Sequence, residues 1–114
     1  GNGALTVGYK VYTALLTQGG TGSPVATVLE NTLGGTVVWS RSSTGIYLGT
    51  LSSVFVTNKT GVLPINSGNF DVDAVANCRR IDANSVRVST YIPSTGTNTD
   101  SVLSSSLIEI RVYN

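Results

Sequence analysis

The chain has 114 residues, of which 11% are charged and 40% apolar, with seven Lys or Arg, six Asp or Glu and no His. That length fits a single domain over residues 1–114, and folding at this size buries roughly 65% of the unfolded surface, enough for a core without disulfides or metals. A net charge of +1 gives no clustered basic face for nucleic acid, the lack of His removes the commonest general base and most zinc sites, and no run reaches the ~20 apolar residues of a membrane span.

Hydroxyl residues fill the gap left by the missing charges: there are 14 Ser and 15 Thr. Thr favours strands, because its branched Cβ suits a pleated surface. Period two then dominates the chain. In Tyr9–Leu16 one face collects Tyr9, Val11, Thr13 and Leu15, and the other Lys10, Tyr12, Ala14 and Leu16. Both faces are largely apolar, as in a strand covered on two sides. "TQGGTGSP" (17–24) breaks the pattern, and a short strand follows over Val25–Glu30. Gly34-Gly35 then reads as a hairpin turn into Thr36–Arg41, where Val37, Trp39 and Arg41 share a face.

"SSTG" (42–45) is a further turn, followed by expected strands over Ile46–Leu51 and Val54–Thr57. "NKTG" (58–61) leads into "VLPI" (62–65), where Pro64 predicts an edge strand. "NSG" (66–68) turns again, and residues 69–83 read as strand or irregular structure, with a short helix capped by Asp73 as the alternative. Ser85–Ile92 is a strong strand and "PSTGTNTD" (93–100) a long polar loop. Leu107–Tyr113 closes the chain with Ile108, Ile110 and Val112 facing inward. About eight short strands with turn signals between them predict an all-β, single-domain antiparallel β-sandwich or a jelly-roll-like barrel. The expected core is Val11, Leu15, Val28, Val38, Trp39, Leu48, Val86, Val88, Ile108, Ile110 and Val112.

Chemistry is sparse. Cys78, the single cysteine, allows no intrachain disulfide and reads as a small buried hydrophobe. Asp71 and Asp73 would share one face of a strand, either to hold calcium with carbonyls and water or to pair with Arg79 or Arg80. Tyr47 and Tyr91 are candidate exposed rings for a sugar face, with Trp39 read as a core anchor. The loops 17–24, 42–45, 58–61 and 93–100 are the places to expect recognition. No catalytic residue, cofactor or resident metal is expected, and the chain reads as non-enzymatic.

"YKVYTALLTQGGTGSPVATVLENTLGGTVVWSRSSTGIYLGTL" (9–51), "NSVRVSTY" (84–91) and "LIEIRVYN" (107–114) resemble a group of small all-β proteins of phages and viral metagenomes with Bacteroidetes-type hosts. The resemblance spans most of the chain and is weakest over 52–83. It implies a virion structural or accessory protein: a fibre, spike or capsid decoration placed on the particle beside other virion proteins. A homo-oligomer, with a trimer favoured, would account for the two apolar faces of the first strand. Attachment to a host-surface glycan is a further expectation. A carbohydrate-binding, lectin-like module is the alternative reading.

Overall fold

A computed structural model describes residues 8–65 and 74–114. Nine strands follow in chain order: β1 (Tyr9–Thr17), β2 (Val25–Asn31), β3 (Val38–Ser43), β4 (Ile46–Thr50), β5 (Thr60–Ile65), β6 (Val75–Asp82), β7 (Ser85–Ile92), β8 (Thr97–Asn98) and β9 (Ser106–Tyr113). They form two antiparallel sheets, ordered β2-β1-β9-β5 and β3-β4-β7-β6, with β8 on the end of β7. The fold is the expected β-sandwich. No helix among the described residues is long and apolar enough to cross a membrane.

The alternation along each strand sorts side chains between the core and the outside. On β1, Tyr12, Ala14 and Leu16 are 1%, 0% and 1% exposed. Ile108, Ile110 and Val112 bury from β9, and Val86 and Val88 from β7, as their spacing predicts. Of the ambiguous stretch 69–83, residues 69–73 lie outside the described residues and Val75–Asp82 form β6, with Ala76 and Cys78 against the core. Pro64 does sit in an edge strand, β5.

Several expectations are corrected. Gly34-Gly35 does not turn a hairpin. β2 pairs with β1 and β3 with β4, so residues 32–37 carry the chain from one sheet to the other. Leu33 and Val37 bury on this crossing and plug the core edge. Val54–Thr57 is not a strand: Phe55 inserts its fully buried ring instead, and Arg80 Nε donates to its carbonyl at 2.7 Å. Val28 and Val38, expected in the core, are 49% and 61% exposed. Val38 lies on the outer side of β3, out of phase with buried Trp39. Val28 pairs with buried Ala14 and faces the core side, yet β2 overhangs the opposite sheet and leaves it in water. Leu15 and Leu48 are half-buried on outer faces.

Candidate functional site

Three of the four expected recognition loops converge at one end of the sandwich. The knot is Asp100. Its Oδ1 accepts from Gly45 N at 2.9 Å and from the Tyr47 hydroxyl at 2.7 Å, and its Oδ2 accepts from Arg41 Nη2 at 2.8 Å. Arg41 Nε adds weaker bonds to both oxygens. Gln18 brings in the 17–24 loop. Its Nε2 donates to the carbonyls of Gly20 and Gly22, while its Oε1 accepts from Ser101 N and lies 2.8 Å from the Tyr47 hydroxyl. The donors fix the amide orientation, so the Tyr47 proton lies between two acceptors, Gln18 Oε1 and Asp100 Oδ1.

Gly45 is irreplaceable here. Its φ of +68° suits glycine, and a Cβ would lie 2.5 Å from the Thr90 carbonyl and 2.8 Å from Thr99 N. The fourth loop, 58–61, is at the opposite end, where Tyr113 N donates to the Lys59 carbonyl.

The electrostatics make this a structural clasp. The Arg41 guanidinium above all, helped by the Tyr47 hydroxyl and Gly45 N, holds the Asp100 carboxyl down at about 2. Burial first, then the neighbouring carboxylate, pushes the Tyr47 phenol well above its ordinary range. At neutral pH the acid stays charged and the phenol stays protonated, so neither exchanges a proton readily. Cys78 is likewise quiet: burial pushes its thiol up to about 12 and suppresses the nucleophilic thiolate.

The sequence-derived candidates scatter. Tyr47 is corrected outright as an exposed ring: it is 0% exposed, and its hydroxyl is spent on the clasp. Tyr91 is half-buried on the far strand of the same hairpin system, and its hydroxyl accepts from Asn77 Nδ2 at 3.2 Å. Asp71 and Asp73 lie outside the described residues, so the calcium reading has no geometry to rest on. Among the described residues no three metal-ligating side chains come together. Trp39 is the core anchor it was read as, 8% exposed. A cleft of about 190 Å³ opens at the 58–61 end between Lys10, Leu33, Val54 and Tyr113. It falls short of the roughly 300–1,000 Å³ of ordinary small-molecule sites.

Sequence reasoning missed Gln18, Arg41 and Asp100. Arg41 and Asp100 lie 59 positions apart, and each alone looks like an ordinary polar loop or strand residue. The one legible signal was the density of turn residues in the loops that carry them.

The most exposed apolar surface lies on β2. Val25 is 69%, Val28 49% and Leu29 58% exposed. Among the described residues β2 is also an edge strand, with no partner strand on its outer side. No protein-family model, curated protein or solved structure matches the chain.

Proposed function

We propose that the chain is a non-enzymatic structural or accessory component of a phage particle, and that it works by assembling with further copies of itself through the β2 edge. The observation that carries this reading is the contrast between β2 and the other sheet edges. Soluble proteins blunt edge strands with charge, proline, bulges or cover. β5 carries Pro64 and runs against β6. β6 carries Arg79, Arg80 and Asp82 and a register shift near its end. β3 has Arg41 and a register shift beside it. β2 has its irregularity and single charge, Glu30, only at its end, and Val25–Val28 runs regular and uncharged.

That run is complementary to itself. An antiparallel two-fold pairing centred on Thr27 sets Thr27 against its own copy and Ala26 against Val28, with no like charges opposed. Isologous pairing of this kind closes a dimer. Where β2 meets a different surface of the next copy, the contact propagates into a ring, of which the trimer is the form the sequence favours. The resemblance to phage proteins supports reading such an assembly as part of a particle, next to other virion proteins, with host-surface contact through the exposed loops.

Light scattering after size exclusion, from micromolar to millimolar protein, tests the reading. A mass of two or more chains that falls on dilution supports it. A monomer throughout, with no co-sedimentation on particles, would falsify it.

A further inference from the structure

Arg79 and Arg87 stand directly opposite each other on β6 and β7. Their neighbours identify the face. Cys78 pairs with Val88, and Val88 is 2% exposed in the core, so the arginines one position along project from the outer surface. Directly opposed residues hold their Cβ atoms about 5 Å apart, where like charges repel. No carboxylate among the described residues relieves that repulsion. The ion pairs there are Arg41 with Asp100 and Arg111 with Glu109. Asp82, the acid at the β6–β7 turn, accepts instead from Asn84 N and Ser85 Oγ. Arg80 turns inward to the Phe55 carbonyl.

The adjoining row is uncharged and polar, with hydroxyl and amide groups that can donate. Ser89 faces Asn77 across the same strand pair. Asn77 Nδ2 donates to the Tyr91 oxygen, which leaves the phenolic proton to be given elsewhere. Two atoms single out this patch. Among the described residues, Arg87 Nε and Ser89 Oγ are buried with no hydrogen-bond partner, and Ser89 is only 6% exposed. A buried donor without an acceptor is costly and calls for one. On the β4 side, Leu48 stands opposite Arg87 and Ile46 opposite Ser89, both half-buried, forming an apolar wall that limits hydration.

We propose that Arg79, Arg87, Ser89 and Tyr91 form an oxyanion-binding site for a sulfate or carboxylate group. A guanidinium presents a planar fork of N–H donors that fits such groups, and two of them with two hydroxyls supply several oxygens at once. The site is compact. With a net charge of +1 the chain offers no long basic track for a polyanion such as nucleic acid. The anion comes either free or as a substituent on an acidic saccharide, for which the Tyr91 ring supplies a flat neighbour. The site belongs to a single chain, so it stands apart from the assembly through β2.

An NMR titration of the isotope-labelled protein tests this, with sodium sulfate against sodium chloride at matched ionic strength, then a sulfated monosaccharide against its unsulfated parent. Sulfate should give saturable shifts confined to the 77–79 and 87–91 segments, and chloride should not. Arg87→Gln should weaken binding about tenfold or more, as loss of a charge-assisted bond does. Arg79→Gln, on the exposed side of an edge strand, should do the same without touching the core. Lys59→Gln, at the far end, should change nothing. A sulfated sugar that saturates well below inorganic sulfate identifies the saccharide as the source, and equal affinities identify the free anion. Shifts that track ionic strength alone, or affinity unchanged in both arginine variants, overturn the proposal.

Discussion

The indole Nε1 of Trp39 donates to the Tyr12 hydroxyl at 3.1 Å in the buried interior, tying β3 of one sheet to β1 of the other. Both rings are nearly closed off from water, at 8% and 1% exposure. The bond satisfies two polar groups that an otherwise apolar sheet interface would leave stranded. Trp39→Ala should therefore cost about 3–5 kcal/mol through lost burial and a cavity. That is a large share of the roughly 5–15 kcal/mol typical of such a domain. Urea unfolding followed by far-UV circular dichroism measures it, and a loss below about 1 kcal/mol would contradict the assigned packing.

Trp39 is accommodated by the residue beside it. Gly49 pairs with Trp39 across the β3–β4 hairpin, and a Cβ there would lie 2.9 Å from the indole Cη2 and 3.0 Å from Val37 Cγ1. Gly49→Ala should destabilise by about 1–3 kcal/mol through overpacking. Combining it with Trp39→Phe should cost less than the sum of the single changes, because the smaller ring vacates the clash. Strict additivity in unfolding experiments would show that the two do not meet.

The loop clasp predicts a defined acid limb. The Asp100 carboxyl titrates at about 2 in the folded chain against an ordinary 3.8. A depressed acid stabilises the fold above its unfolded pKa, and that contribution fades as pH falls from about 4 through about 2. Melting temperature plotted against pH should decline over that window, and Asp100→Asn should flatten the decline while lowering stability at neutral pH. A wild-type limb with the same shape as that of the variant would mean that Asp100 is not the titrating group.

Gly45 is the backbone counterpart of that clasp. Gly45→Ala forces a Cβ toward the Thr90 carbonyl at a positive φ, so both sterics and conformation oppose it. It should destabilise more than Tyr47→Phe, which removes one hydroxyl proton and should cost about 1–2 kcal/mol. The order of the two variants in a thermal melt checks this, and the reverse order would contradict it.

Cys78 should resist modification in the native chain. Its thiol is pushed up to about 12 by burial against the core. A thiol-specific chromophoric reagent at neutral pH should react slowly with the folded protein and rapidly once urea unfolds it. Fast reaction of the native protein would place the thiol in solvent.

The fold was legible where one local rule decided it. The alternation in β7 and β9 and the Pro64 edge depend on period and backbone preference and appear where expected, while the turn read over 42–45 narrows to Thr44-Gly45 because β3 runs on through Ser43. Illegible were the features set by which sheet a strand joins. Gly34-Gly35 has the chemistry of a hairpin, but only the tertiary partners of β2 and β3 show that the chain crosses between sheets there. Val28 has the residue type and phase of a core position and is exposed because β2 overhangs its neighbour. The Asp100 clasp and the Arg79–Arg87 pair depend on register between segments, which composition does not encode.

The most direct test of assembly through β2 is amide hydrogen exchange of Val25–Leu29 at low and high protein concentration, alongside the variant Val28→Lys. A charge within the uncharged run should block pairing while sparing the core, since Val28 is already half in water. The β2 amides that do not bond to β1 should gain protection as wild-type protein is concentrated, and the variant should show no gain. Exchange at β2 that stays fast and independent of concentration in the wild type, while the protein is an oligomer or a monomer alike, would contradict assembly at this edge.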